Sequence, residues 1–254
     1  MSGERALRSV LITGASGGVG REAALACARQ GLRVGLHYHR NRARAEATLA
    51  DLPGDGHCLL NCDIVDPDAA EQLIEQAEAS LGGLDVLVNN AGISRRHDVA
   101  AIDYATWQES WRDIVDTNLT AAANLSYCAA QKMIARGGGR IVNVSSRGAF
   151  RGEPQMPWYG ASKAGMNAMG QSLAQALGPK GVFIYTVAPG FIETEMAARV
   201  LASPEGDSIR QQSSIGRVAQ PEEVGKVIAY LALEAPEFMT GCIVDINGAS
   251  YLRS

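Results

Sequence analysis

Two residues four apart, Tyr159 and Lys163, hold the most suggestive chemistry in this 254-residue sequence. They fall in a stretch of helical periodicity over 158–177, so both side chains project from one face and neighbour each other along the helix axis. A phenol ordinarily titrates near pH ~10, and a nearby ammonium favours its ionised form and lowers that value. Such a pair can hand a proton to the alkoxide formed when a hydride reaches a carbonyl. A solvated helix face produces the same spacing by accident, so the pair acquires meaning only from its surroundings.

A second motif lies near the start. The segment Thr13-Gly14-Ala15-Ser16-Gly17-Gly18-Val19-Gly20 follows a short apolar run at 10–12 and precedes helical periodicity over 21–30. Glycines there permit a tight turn and let backbone N–H groups approach a pyrophosphate seated on the positive end of the helix. Close packing of helix on strand also uses glycine, but the position after a first strand favours dinucleotide binding.

Elements that could position these groups alternate along the chain. Short apolar runs at 10–12, 34–36, 57–60, 86–88, 140–144, 182–187 and 243–246 predict seven strands. Helical patterns at 21–30, 43–52, 67–81, 106–135, 158–177 and 221–233 separate most of them. Near-continuous apolar strands separated by helices require a parallel sheet covered on both faces, the doubly wound α/β or Rossmann class. Pro67 and Pro221 mark helix starts, while Gly31, Gly82 and the Gly137–Gly139 run mark helix ends. No repeat or linker interrupts the pattern, so residues 1–254 are expected to form one domain.

Composition narrows the function classes. A formal charge of −4 provides no basic field for nucleic acid. The five cysteines are scattered, without disulfide or zinc spacing, and Cys58 and Cys62 flank apolar Leu59 and Leu60. A reduced, cytoplasmic chain without metal is expected. Met1 to Ser9 lacks the apolar core of a signal peptide, and no run reaches membrane-spanning length.

The order of Gly14-x-x-x-Gly18-x-Gly20, Asn89-Asn90-Ala91-Gly92, Tyr159-x-x-x-Lys163 and Pro189-Gly190-Phe191-Ile192-Glu193-Thr194 resembles the short-chain dehydrogenase/reductase family over nearly the whole chain. The resemblance adds Ser146, thirteen residues before Tyr159, and Asn118. It implies that Ser146 holds the substrate oxygen, Tyr159 moves the proton, Lys163 tunes Tyr159 and anchors the nicotinamide ribose, and Asn118 binds a water linking Lys163 to solvent. Gly14, Ser16, Gly18, Val19 and Gly20 would cradle the pyrophosphate. Asp63 and Ile64 would bracket the adenine, and Asn90, Ala91 and Gly92 would line the ribose. Ile192 and Thr194 would hold the nicotinamide carboxamide, with Pro189 and Gly190 also lining the cofactor. Bland alternatives exist: a turn cap for Asp63, a tie between strands for Asn89 and Asn90, an N-cap for Thr194, a helix kink for Asn118.

Relatives that prefer NAD(H) usually carry an acid after the second strand, where this chain reads His37-Tyr38-His39-Arg40. With no carboxylate to repel a 2′-phosphate, His39 and Arg40 favour NADP(H), with NAD(H) the alternative. Many NADP-binding relatives also place a basic residue in the glycine loop, where this chain has Gly17. The substrate wall is expected from 93–100, 147–158 and 191–214. The closing segment, from Gly216 through Gly248, looks most like the β-ketoacyl carrier-protein reductase branch. An acyl thioester on an acyl carrier protein is then one substrate, with sugars, polyols and other alcohols as alternatives; Arg136 and Lys180 are scattered basic candidates for the carrier protein. A homotetramer pairing the helices over 106–135 and 158–177 is implied by the same resemblance. A non-catalytic NADP-binding sensor would not need the proton relay, and a methyltransferase on a similar fold leaves the Tyr159 and Lys163 pair unexplained.

Overall fold

The computed structural model describes residues 8–253, so the expectations for the first seven residues and for residue 254 lie outside it. Seven strands form one parallel sheet in the order β3-β2-β1-β4-β5-β6-β7. They are β1 (Ser9–Ile12), β2 (Arg33–Tyr38), β3 (Cys58–Asn61), β4 (Val86–Asn89), β5 (Gly139–Val144), β6 (Val182–Pro189) and β7 (Ile243–Ile246). Among the described residues the α-helices are α1 (Gly18–Arg29), α2 (Arg42–Ala50), α3 (Pro67–Leu81), α4 (Tyr104–Val115), α5 (Ala121–Ala135), α6 (Gly148–Arg151), α7 (Pro157–Leu177), α8 (Glu195–Leu201), α9 (Glu205–Gln211) and α10 (Pro221–Leu233). This is the doubly wound Rossmann arrangement that the strand and helix alternation predicts.

Alternation along each strand divides the interior into two cores. Val10 and Ile12 join Val86, Val88, Val142, Val144, Tyr185 and Val187 beneath α1 and α10. Leu11, Leu87, Ile141 and Ile184 face the opposite side, against α3 and α5. The period of two in Cβ direction is what separates them. Helix ends follow local chemistry: Asp66 accepts the Asp68 N–H before Pro67, and Gly82 closes α3 at φ 67°. Gln220 and Glu223 form a reciprocal capping box at the start of α10.

Two differences from the sequence reading bear on the site. The helix expected over 106–135 is interrupted by a π-helical turn, Asp116–Thr120, which carries Asn118. The stretches after Ser146 and after Thr194 hold three short helices, α6, α8 and α9, where no periodicity is legible. Helices this short are not self-supporting. Ala197, Leu201 and Ile209 stabilise α8 and α9 by closing a small separate cluster with Val218 and Phe191.

His37, on β2, ties the glycine loop to the sheet. Its Nδ1 accepts the Gly14 N–H at 3.1 Å, and its Nε2 lies 3.2 Å from the Cys62 carbonyl oxygen. Nδ1 as acceptor requires a neutral ring that donates from Nε2. Burial, opposed by the bond to Cys62, pushes the imidazole down to about 4 from 6.5. Between these values the unfolded chain binds a proton that the folded chain does not, so stability falls as pH drops from 6.5 towards 4. Urea unfolding of the wild type across this window should lose on the order of 2–3 kcal/mol more than His37→Leu does; equal pH dependence in both would show that His37 does not titrate this way.

Candidate active site

The carboxyl ends of the strands bring the predicted catalytic residues together. Ser145 and Ser146 leave β5 in opposite directions: the Ser145 hydroxyl donates to the Lys163 carbonyl oxygen at 3.2 Å, while the Ser146 hydroxyl accepts the Gly148 N–H at 3.0 Å. Tyr159 and Lys163 lie on the second half-turn and second turn of α7, where Pro157 starts the helix. The Lys163 ammonium donates to the Val144 carbonyl oxygen at 2.8 Å and is buried. Its Nζ sits 6.0 Å from the centre of the Tyr159 ring. A Cβ on Gly92 would lie 3.2 Å from Asn118 Oδ1 and 3.4 Å from Lys163 Nζ, so these groups converge closely on Gly92.

Asn118 is fully buried and its side chain is committed. Oδ1 accepts the Ile93 N–H at 2.8 Å, while Nδ2 donates to the Ile93 carbonyl oxygen at 3.0 Å and to Ser162 Oγ at 3.2 Å. The side chain therefore locks the 93–100 loop onto the π-turn. A water at Asn118 would have to be held by its backbone rather than its amide, which alters the expectation for this residue. π-Turns break the regular hydrogen-bond ladder and so release backbone groups for such use.

The titration expected of Tyr159 is also corrected. Burial is the largest influence and raises the phenol above 10; the Ser146 hydrogen bond opposes this, and the Glu153 carboxylate adds to it. The Lys163 ammonium, 6.0 Å from the centre of the ring, donates to the Val144 carbonyl oxygen. Burial instead pushes Lys163 down to about 8.

A cleft of roughly 330 Å³ opens where α1 begins, lined by Ser16, Gly17, Gly18, Arg44, Thr48 and Thr194 among others. Gly14 and Gly18 have φ of 64° and 56°, the left-handed region that favours glycine. A Cβ on Gly20 would lie 2.5 Å from both Gly14 O and Asn90 Nδ2. No side chain caps α1 and no acid stands in its first turn. Its backbone N–H groups are thus available to a pyrophosphate, and the loop fits the diphosphate of a dinucleotide.

A family model described as enoyl-(acyl carrier protein) reductase matches residues 14–249. A 3-oxoacyl-[acyl-carrier-protein] reductase FabG of Escherichia coli K12 is 34% identical over 243 residues, 95% of this chain and 96% of the relative. The chain belongs to the short-chain dehydrogenase/reductase family. An acetoacetyl-CoA reductase of Rhizobium meliloti is 34% identical over 244 residues, 96% of this chain and 98% of that protein. A solved structure from Agrobacterium tumefaciens, provisionally assigned as a gluconate dehydrogenase, superposes with a TM-score of 0.89 at 26% identity, covering 96% of each chain. Like these members of the family, the chain is an oxidoreductase. Among its described residues no helix is long and apolar enough to cross a membrane.

Other short-chain dehydrogenase/reductase positions divide between site and scaffold. The Asn90 amide donates to the Thr13 and Gly14 carbonyl oxygens, and the Asn90 and Ala91 N–H groups donate to Thr13 Oγ1, so the segment braces the glycine loop. The Asn89 amide bonds Ser126 and Asn143, joining β4 to β5 and α5. Asp63 caps Val65 N–H and lies 3.8 Å from His39, while the Ile64 side chain is in the core. Val19 packs on the other core. Thr194 caps α8, and its methyl lies 3.6 Å from a Cβ built on Gly18, across the cleft. Pro189 accepts the Arg147 N–H, Gly190 donates to Ile246, and Ile192 bridges to Ala219.

Of the wall candidates, Trp158 is fully buried, donates to the Arg95 carbonyl oxygen and packs edge-on against Trp107. Phe150 stacks on Tyr251. Both are packing residues. Sequence reasoning missed Arg44, whose guanidinium occupies the place of a side chain on Gly17 and pairs with Glu195 at 2.6 Å. The absence of a side chain at position 17 is the signal that left room for it.

The depressed Lys163 makes a measurable prediction. From about 8 to 10.5 the unfolded lysine is charged while the folded one is neutral, so stability rises with pH across that interval. Lys163→Met should lack this rise, on the order of 3 kcal/mol, in chemical unfolding at the two ends of the range. A rise of full size in the variant would contradict the burial argument.

Proposed function

We propose that the protein is an NADP(H)-dependent oxidoreductase acting on a carbonyl and its secondary alcohol, with Ser146, Tyr159, Lys163 and Asn118 as its catalytic group. The observation that carries this reading is the convergence of Ser146, Tyr159 and Lys163 at the carboxyl edge of the sheet, beside an uncapped helix start. When bound, the dinucleotide supplies or accepts the hydride. Ser146 Oγ holds the substrate oxygen and stabilises charge developing on it. Tyr159 Oη delivers the proton in reduction and takes it in oxidation. Lys163 anchors the nicotinamide ribose and passes protons towards the backbone of Asn118. Asp63, Ile64 and Asn90 to Gly92 serve the adenosine, and Pro189, Gly190, Ile192 and Thr194 the nicotinamide.

NADP(H) preference rests on charge. No carboxylate follows β2; His39 and Arg40 stand there, both exposed. Arg44 restores a guanidinium at the loop position where Gly17 has none. The names of the curated relatives suggest an acyl-thioester substrate, and the solved neighbour suggests a sugar acid. Docking of an acyl carrier protein finds little support, because Arg136 is engaged by Glu78 and Asp85. A cytoplasmic homotetramer built through α4, α5 and α7 belongs to the same reading.

Tyr159→Phe should bind NADPH as the wild type does, by fluorescence titration, and lose at least about 100-fold in kcat on any ketone the enzyme reduces. Turnover within a few-fold of wild type would remove Tyr159 from the proton step. Arg44→Ala should weaken NADPH by roughly tenfold or more and NADH far less, with Arg40→Asp acting in the same direction. Equal loss for the two nucleotides would remove the 2′-phosphate from both residues.

A further inference from the structure

The Glu153 carboxylate lies beside the Ser146 hydroxyl, and the hydride chemistry itself has no use for it. Gly152, at φ 74°, turns the chain back after α6, and Glu153 follows. A Cβ built on Gly148 would lie 3.0 Å from Glu153 Oε1 and 3.3 Å from Ser146 Oγ, so the carboxylate and the catalytic hydroxyl share the space that Gly148 leaves open. The Glu153 side chain keeps only 20% of its exposure. Its closest cation, Arg151 Nε, is 3.9 Å away, beyond hydrogen-bonding reach. Arg151 and Arg147 both donate instead to Gln212 Oε1, at 3.1 and 2.7 Å. Among the described residues no side chain donates a hydrogen bond to the Glu153 carboxylate. After burial, the Glu153 carboxylate is a further influence that raises the Tyr159 phenol.

Among the described residues the carboxylate has only this long ion pair with Arg151, so its oxygens are free to accept a closer hydrogen bond from a substrate seated at Ser146. A 3-oxoacyl thioester offers a methylene and a second carbonyl oxygen next to its reacting carbon, neither of them a donor, and the oxygen would be repelled. A polyol, sugar or hydroxy ketone offers a hydroxyl there. We infer that Glu153 accepts a hydrogen bond from a substrate hydroxyl adjacent to the reacting oxygen, and that the substrates are vicinally hydroxylated carbonyl compounds and alcohols rather than acyl thioesters. The inference rests on the hydride-transfer reading above and adds the substrate class to it.

The test measures kcat/KM with NADPH for butan-2-one, 1-hydroxybutan-2-one and an acetoacetyl thioester, in the wild type, Glu153→Ala and Glu153→Gln. The wild type should favour the hydroxy ketone over both others. That preference over butan-2-one should fall by roughly tenfold or more in Glu153→Ala and by less in Glu153→Gln, which keeps an acceptor oxygen. If Glu153 only balances Arg147 and Arg151, both ketones will change in parallel and the inference is overturned. Better turnover of the thioester than of the hydroxy ketone by the wild type overturns it equally. A protein that binds NADPH yet reduces neither ketone nor thioester removes the hydride-transfer reading itself, an outcome separate from turnover without preference.

Discussion

Connections from β1 run to one side of the sheet and those from β4 to the other, and the whole site depends on this divergence. In a parallel sheet the carboxyl ends of all strands share an edge, and where the winding reverses no crossover covers that edge. The order β3-β2-β1-β4-β5-β6-β7 puts the glycine loop after β1 and the Asn90 segment after β4 on opposite lips of one crevice. The hydrogen bonds from Asn90 to Thr13 and Gly14 then tie the lips together. Packing of two apolar cores on either face makes the edge rigid enough to aim side chains from β5 and α7 into it.

Polar groups at this edge mostly hold one another. His37 is spent on Gly14 and Cys62, Asn89 on Ser126 and Asn143, Asn118 on Ile93 and Ser162, and Lys163 on Val144. Such commitments satisfy buried donors and acceptors that would otherwise be costly. Against that background the groups left without strong partners stand out: the backbone at the start of α1, and Glu153. They mark where binding energy for a ligand is still available.

Much of this architecture is legible in the sequence, because it follows from short-range rules. Strand runs such as Val10 to Ile12 and Val86 to Val88 are apolar on both faces, as suits a central parallel strand. Glycine, proline and capping residues mark the helix ends. What escapes the sequence depends on contacts made at a distance. Helices α8 and α9 exist because Ala197, Leu201 and Ile209 meet Val218 and Phe191. The role of Arg44 depends on its reach to Gly17, nearly thirty positions earlier. The environment of Tyr159 outweighs a spacing argument: four residues place Lys163 on the same face, but burial raises the phenol. Asn118 is readable as a residue of interest, yet its engagement with Ile93 follows from a π-turn that no periodicity announces.

That turn has a further consequence for how the chain can vary. A wide turn inserts one residue into an otherwise continuous helix, so α5 is rotated relative to a straight continuation of α4 by about 100°. The phase shift lets α4 lie against α7 while α5 presents Leu125, Ala129 and Met133 to α3 and the sheet. Straightening the helix would therefore not be a local repair. Loss of one residue between Asp116 and Thr120 would preserve every backbone hydrogen bond of a regular helix and yet swing fifteen residues of α5 off their buried face. The irregularity that presents Asn118 to Ile93 is thus also the gear that sets two halves of a core in register, and a chain could not lose one without losing the other.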